Sequence, residues 1–258
     1  MLNKKEKRIN ELVGIIKEQP TLSVKNLAEI LNVSEMTIRR DIDYLKSNNI
    51  LTYAHGINYL NNNASSVDNQ YDLSTELTKY NAEKDKIGKF AATLIEPGDI
   101  VIIDSGTTTA AISKYVPENM NLTVLCYNYH TLSQLYNKQG ISIIFPGGYY
   151  HHTDQMFESS EGLNLIKNHR ANKLFIAASG VHEKLGMTCA HNYEVLTKRA
   201  VISSSLTKIL LVDSSKFGLV HAAYFAHLNE IDAIVTDTGI SKEWKAIIEE
   251  AGIKLYIV

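Results

Sequence analysis

Apolar residues recur at helical spacing in three short runs near the start of the chain: Ile9, Leu12, Val13 and Ile16; then Val24, Leu27, Ala28 and Leu31; then Ile38, Ile42 and Leu45. Pro20 separates the first two runs, Ser23 is placed to cap the second, and Asn32-Val33 turns the chain into the third. Ser34 is placed to accept a hydrogen bond from the unpaired N–H groups of the third helix. With Ile38, Ile42 and Leu45 facing inward, Thr37, Arg39, Arg40 and Tyr44 fall on or near the exposed side. From Ile50 to Leu60 the pattern changes to alternation around His55-Gly56, which predicts a small β-hairpin.

Asn61 to Ser66 is polar and aperiodic and reads as a linker. A helical stretch follows from about Leu73, with Ile87, Phe90, Ala91, Leu94 and Ile95 as its apolar face, and Glu96-Pro97-Gly98-Asp99 ends it. Beyond it, strand-like runs at 100–103, 122–125, 141–145, 174–177, 209–212, 233–235 and 255–258 alternate with helical runs at 109–115, 129–138, 158–168, 194–205 and 241–251. Continuous apolar strands separated by amphipathic helices predict a largely parallel sheet with helices on both faces. Trp244 falls within the last helix and reads as a packing residue.

Three short helices with a tight turn before the third, followed by a hairpin, match a helix-turn-helix with a wing. In that reading Arg39 and Arg40 grip guanine edges or phosphates, and His55 touches the backbone from the wing. A plain surface helix can also carry two arginines, so the neighbouring elements matter as much as the arginines. The 258 residues are enough for two domains, and 45% apolar content is ordinary for a globular chain. The net charge of −2 does not itself suggest a nucleic-acid partner. Through Leu60, however, nine basic residues face seven acidic ones, a balance of +2 that leaves −4 for the remainder. So mild a bias predicts weak DNA binding by one copy and a dimer or tetramer as the working form. Cys126 and Cys189 lie among apolar or small residues and read as reduced structural thiols. A charged Met1–Arg8 with no apolar run after it, and no run of membrane-spanning length, predict a cytoplasmic protein.

Ligands of open α/β sheets bind at the carboxyl ends of strands. Asp104-Ser105-Gly106-Thr107-Thr108-Thr109 follows the first predicted strand and opens a helix. Backbone N–H groups there favour an anion, and three threonine hydroxyls add donors, a combination suited to a phosphate monoester. It lacks the Gly-Lys-Ser/Thr ending of a Walker motif. Asn128, Gly147-Gly148 and Asp213-Ser214-Ser215-Lys216 follow other strands and supply an amide, close backbone approach, a hydroxyl-binding carboxylate and a cation. Glu194 and Lys198 are four apart on a helix, a spacing that equally suits a solvent-facing ion pair.

Ser34-Glu35-Met36-Thr37-Ile38-Arg39-Arg40-Asp41, followed by Leu51-Thr52-Tyr53-Ala54-His55-Gly56, resembles the N-terminal domain of the DeoR family of bacterial transcription regulators. Ile57 stands where the family usually has a second glycine after the wing histidine. Ile95-Glu96-Pro97-Gly98-Asp99, the 104–109 segment, Asn128, Gly147-Gly148, Glu194 with Lys198-Arg199-Ala200, and Asp213 to Gly218 are similar to the same family's sensor domain. That domain is similar in fold to ribose-5-phosphate isomerase and glucosamine-6-phosphate deaminase. The resemblance covers nearly the whole chain and implies an N-terminal winged helix-turn-helix (1–60), a linker (61–72) and a mostly parallel, isomerase-like α/β sensor domain (73–258). It implies a regulator, usually a repressor of sugar-use genes, with double-stranded operator DNA and a phosphorylated sugar as partners. Ser34, Thr37, Arg39, Arg40 and His55 would hold DNA. Asp104, Ser105, Gly106, Thr107, Thr108, Thr109, Asn128, Gly147, Gly148, Glu194, Lys198 and Lys216 would hold the effector. Tyr127 stands where the family commonly has a threonine before the asparagine, so a hydroxyl near the effector comes from Tyr127 or is missing.

Three rival readings use the same residues. An isomerase needs a carboxylate base, for which Asp104, Glu194 and Asp213 are candidates, but an attached DNA-reading domain argues against turnover of the signal. A metal-dependent regulator would draw on His151, His152, the following Asp154 and the scattered histidines, but no HxxxH or CxxC spacing occurs, and exposed loop histidines, with His151, His152 and His191 beside the effector pocket, are the plainer expectation. An activator would use the same two domains. No catalytic residue, metal site or cofactor is expected.

Overall fold

Val24–Ile30 (α1) and Glu35–Ser47 (α2) are helices in the computed structural model, which describes residues 8, 9, 11, 12, 15, 24–47, 51–53, 57–59 and 80–258. The chain divides into two units, Met1–Asp68 and Asn69–Val258. In the first, Arg8, Ile9, Glu11, Leu12 and Ile15 are also helical. Ile9, Leu12, Leu27, Ala28, Ile38, Ile42 and Leu45 form one buried cluster, which is why three short helices hold together. Arg8 closes this cluster at its edge: its guanidinium donates to both oxygens of the buried Asp41, at 2.6 and 3.1 Å. Leu51–Tyr53 (β1) and Ile57–Tyr59 (β2) pair antiparallel as the predicted hairpin. Ser23, His55, the 61–72 linker and residues 73–79 of the expected helix lie outside the described residues.

The second unit begins with helix α3 (Asn81–Ala92), and β3 (Ile100–Ile103) follows. The predicted helix after β3 is two four-residue pieces, α4 (Thr107–Ala110) and α5 (Ile112–Tyr115). Then come β4 (Leu122–Cys126), α6 (Tyr129–Leu135), β5 (Ile141–Ile144), β6 (Tyr149–His151), β7 (Met156–Glu158) and α7 (Ser160–Lys167). The chain continues through β8 (Ala171–Ile176), β9 (Gly180–His182), β10 (Gly186–Cys189), α8 (Asn192–Ser203) and β11 (Ser205–Leu211). It ends with β12 (Ala223–Ala226), β13 (Ala233–Thr236), α9 (Lys242–Glu250) and β14 (Lys254–Ile257).

The seven predicted strands all form one sheet, in the order β14-β13-β11-β8-β3-β4-β5, and every neighbouring pair is parallel. Their side chains alternate between two cores. Val101, Ile103, Val124, Phe175, Leu211 and Val235 pack on one face with Ile87 and Ala91 of α3. Ile102, Leu125, Leu174, Ile176, Leu210 and Ile234 pack on the other with Ile166, Val201 and Ile248. Trp244 joins the second core edge against Phe217, with ring centroids 5.0 Å apart.

Besides the split helix, two small sheets differ from the sequence expectation. Residues 180–182, 186–189 and 223–226 make a small antiparallel sheet of order β12-β10-β9, and 149–151 pairs with 156–158 as a hairpin. Glu158 is therefore a strand residue. The helix starts later, at Ser160, because Ser159 caps it by accepting from Gly162 N at 2.9 Å.

Gly147-Gly148 turns the chain from β5 into this hairpin. A Cβ on Gly148, whose φ is +124°, would lie 2.3 Å from the carbonyl oxygen of Glu158, whereas one on Gly147 (φ +65°) meets nothing within 4 Å. Gly147→Ala should therefore cost only the left-handed backbone term, about 1–2 kcal/mol. Gly148→Ala adds a backbone collision and should cost ~2–5 kcal/mol. Urea midpoints of the two variants check this ordering.

Candidate functional site

On α2 the capping geometry is as the sequence requires. Ser34 Oγ accepts from Thr37 N at 3.2 Å and lies 2.9 Å from Thr37 Oγ1. Arg39 and Arg40 are exposed beside Tyr44 and Met36, while Ile38, Asp41 and Ile42 are buried. Arg39 meets Glu35 only at 3.9 Å on the exposed face, a contact weak enough for a phosphate to displace. The helix therefore presents two cations and a hydroxyl on one side and its apolar residues to the core. His55 cannot be placed against this face, since it lies outside the described residues.

In the second unit the carboxyl ends of β3, β8 and β11 surround a cleft. It is lined by Ser105, Gly106, Thr107, Thr108, Asp154, Ala177, Ala178, Ser179, Glu194, Lys198 and Lys216, and holds about 430 Å³ of empty space counting its open mouth. Its floor is a buried ion pair. Lys198 Nζ donates to Asp104 Oδ2 at 2.6 Å and to the Ala177 carbonyl at 3.0 Å, and lies 3.9 Å from Glu194 Oε2. Asp104 Oδ2 also accepts from Ala177 N at 2.9 Å, and its Oδ1 from the Tyr127 hydroxyl. Glu194 Oε1 accepts from His191 N at 3.0 Å. Glu194 and Lys198 are thus a buried pair rather than a solvent-facing one.

Burial alone would lower the Lys198 pKa, but the carboxylates of Asp104 and then Glu194 outweigh it and carry it up to about 12. Burial pushes Glu194 up to about 7; Lys198 opposes the rise and Asp154 adds to it. The cleft can therefore offer backbone N–H groups and threonine hydroxyls at one side, cations at Lys198 and Lys216, and two carboxyls, Glu194 and Asp154.

Of the twelve residues expected at the effector, seven line the cleft: Ser105, Gly106, Thr107, Thr108, Glu194, Lys198 and Lys216. The other five lie behind or beside it. Asp104 is beneath, bound to Lys198. Thr109 Oγ1 donates to the carbonyls of Asp104 and Gly106, at 2.8 and 3.0 Å, and stays within its own turn. Asn128 caps α6 by accepting from Thr131 N at 3.2 Å, and its amide donates to the Asp154 carbonyl at 2.7 Å. Gly147 and Gly148 shape the hairpin connection. Tyr127 is fully buried with its hydroxyl on Asp104, and it does not line the cleft. Asp213 caps the turn Ser214–Lys216 by accepting from Ser215 N at 3.1 Å.

Asp154 was not singled out for the cleft by its spacing. It sits in a polar turn after His151-His152, and only the folding of 149–158 as a hairpin brings it under α8. His151 is not a loop residue: it is half-buried in β6 and stacks on Tyr193 at 3.6 Å, while His191 stacks on the same ring at 4.9 Å. His152 remains exposed in the turn. Among the described residues no cluster of three histidine, cysteine or acidic side chains is set to hold a metal ion. Cys126 and Cys189 are buried free thiols, and burial pushes both pKa values up to about 12.

A helix-turn-helix with outward arginines, followed by an α/β unit with a polar cleft at its strand ends, defines a two-domain DNA-binding regulator. Comparison with known proteins agrees over both parts. Residues 8–63 match the DeoR-like helix-turn-helix domain, and residues 79–238 match the DeoR C terminal sensor domain. The deoxyribose operon repressor of Escherichia coli strain K12 is 31% identical over 255 residues, 99% of either chain. The transcriptional repressor GlcR of Bacillus subtilis strain 168 is 28% identical over 252 residues, 98% of this chain and 96% of that one. The solved structure of the sorbitol operon regulator SorC from Klebsiella pneumoniae covers 96% of this chain and 100% of its own at 11% identity, with a TM-score of 0.38, a likeness too distant to bear on function. The chain belongs to the DeoR family of transcription regulators, and it is a regulator rather than an enzyme. Among the described residues no helix is long and apolar enough to cross a membrane.

Removing one partner of the buried pair leaves the other charge uncompensated, so Lys198→Met should destabilise the second unit by about 3–5 kcal/mol in urea melts. Glu194 gives a pH signature. Its folded pKa of about 7 lies above the ordinary 4.5, so the folded state binds the extra proton. The stability it contributes is present below about pH 4.5 and is lost as pH rises through 7. Glu194→Gln should flatten the fall in melting temperature between those values, and an unchanged pH slope would count against the shift.

Proposed function

We propose that this protein represses genes for the use of a sugar and that a phosphorylated sugar, bound in the cleft of the second unit, controls its grip on operator DNA. The observation that carries this reading is the cleft itself: Ser105, Gly106, Thr107 and Thr108 on one wall, Lys216 and Lys198 as cations, and Glu194 as a hydroxyl acceptor. Two of the relatives are named as repressors of the deoxyribose operon and of the lactose phosphotransferase system, which supports a sugar-derived signal. Because α4 is a single turn, its dipole adds little; the phosphate is held by local N–H groups, threonine hydroxyls and Lys216. Asp104, Asn128, Thr109, Gly147 and Gly148 position these groups from behind, Asp104 by holding Lys198.

In the first unit, Ser34 and Thr37 set the start of α2, and Arg39 and Arg40 meet operator bases and phosphates, with His55 on the wing. The working extents are 1–60 for DNA binding, 61–72 for the linker and 73–258 for sensing. The protein works in the cytoplasm as a homodimer or tetramer, because two half-sites bound together offset the mild charge of one domain. Effector binding favours one arrangement of that oligomer over another, and the difference in affinity is the regulatory energy.

Fluorescence anisotropy on labelled DNA from upstream of the protein's own operon, titrated with pentose and hexose phosphates, tests this. One sugar phosphate should release the DNA while its unphosphorylated parent does not. Tightening in place of release would keep the DNA-binding reading and overturn release by the effector as the sign of regulation. Arg40→Ala should weaken operator binding about 10-fold or more without changing effector binding. Lys216→Ala should raise the effector concentration needed for release and spare DNA affinity.

A further inference from the structure

One group in the cleft has no role in holding a phosphate. Asp154 is 2% exposed, in the turn between β6 and β7, and its side chain lines the cleft. Its Oδ1 accepts from Met156 N at 3.2 Å and the carboxyl interacts with the Tyr193 hydroxyl, while Oδ2 is buried with no donor within full hydrogen-bonding distance, a burial that raises the Asp154 pKa. Buried carboxylate oxygens are normally paired, because leaving water without a new donor is unfavourable. The residue is also held in place: Asn128 Nδ2 donates to its carbonyl at 2.7 Å, and the adjacent Thr153 Oγ1 meets the Tyr193 hydroxyl at 3.1 Å. Tyr193 is itself fixed between His151 and His191. A rigid, unsatisfied acceptor facing a ligand cleft is built to receive a donor from that ligand.

The charge pattern says which part of the ligand arrives there. Asp154 and Glu194 share one region of the cleft, and two carboxyls there, protonated or ionised, give a phosphate dianion no cation to pair with. The phosphate therefore goes to Ser105–Thr108 and Lys216, and the sugar end faces the carboxyls. We infer that Asp154 is a specificity-determining residue of this regulator, its Oδ2 accepting a hydrogen bond from one hydroxyl of the sugar. The inference rests on the sugar-phosphate reading above and adds the residue that tells one sugar from another. A site made this way accepts a neutral polyol end, rejects a sugar acid or a bisphosphate, and rejects the analogue lacking that hydroxyl.

The test is calorimetry on the full chain with inorganic phosphate, with pentose and hexose monophosphates, and with the deoxy series of the tightest of these. In the unaltered protein one deoxy analogue should bind about 10- to 100-fold more weakly than its parent, the effect of one charge-assisted hydrogen bond. Asp154→Ala should close that gap, and Asp154→Asn, which keeps an acceptor for Met156 N and so folds, should narrow it. Inorganic phosphate should bind all three proteins within about 3-fold, since a merely structural role would weaken every ligand alike. If the gap persists in both variants while phosphate still binds, the assignment of Asp154 is overturned and the sugar-phosphate reading stands. If the unaltered protein binds neither inorganic phosphate nor any sugar monophosphate, both fail together.

Discussion

The buried contact between Asp104 and Lys198 ties together four segments that are distant in sequence. Asp104 ends β3, takes the Tyr127 hydroxyl from the end of β4 and the Ala177 N–H from the end of β8, and pairs with Lys198 from α8. Neither charged side chain has any appreciable contact with water. Such a pair is not a cheap source of stability, since desolvating two ions costs about as much as their attraction returns. Its value is geometric. Only one arrangement of the strand ends satisfies both ions, so the walls of the cleft are placed by electrostatics rather than by the softer packing of apolar side chains. Lys198 also stands 5.1 Å from the ring centre of Phe225, which connects the same ion to the small antiparallel sheet.

The first unit uses a comparable device on a smaller scale. Among the described residues, seven buried apolar side chains form the core that the three short helices share. Asp41 sits in the same helix as Arg39 and Arg40, and its bidentate bond to Arg8 fixes that helix from its inner side. Adjacent residues of one helix therefore divide the work by direction: one carboxylate anchors inward while two guanidiniums point outward. The neutralised inner charge leaves the outward ones to dominate the field that DNA meets.

What could be read from the sequence depended on the length of each signal. All seven strands of the parallel sheet were legible because burial on both faces makes them continuous apolar runs. The antiparallel strands of the second unit were not: Gly180–His182 and Tyr149–His151 are three residues long and contain glycine or histidine, a composition that looks like loop. The single helix expected over 109–115 is two short pieces, a difference that apolar spacing does not report. In the cleft, the Gly-Thr turn and Lys216 were visible as strand-end chemistry, and the resemblance added Glu194 and Lys198. The i, i+4 spacing of that pair reads the same on a wet surface as in a core, so its burial came only from the fold. Asp154 entered the sequence reading only as the acidic residue after His151-His152, and nothing in its spacing pointed to the cleft.

The two ends of the cleft come from different pieces of chain. The wall of Ser105 to Thr108 belongs to the loop after β3, while the Asp154 wall belongs to a hairpin whose turn, residues 152–155, is tied to Asn128, Tyr129 and Tyr193. None of those ties is made to Asp104 or Lys198, so on the proposed reading the hairpin turn can change without disturbing the buried ions or the loop proposed to take the phosphate. On that reading a duplicated regulator gains a new signal through the four residues of the turn, while the helix proposed to meet DNA and the loop proposed to take the phosphate stay unchanged. The division offers a structural route by which one ancestral sensor diversifies into many, each answering to a different metabolite of shared chemistry.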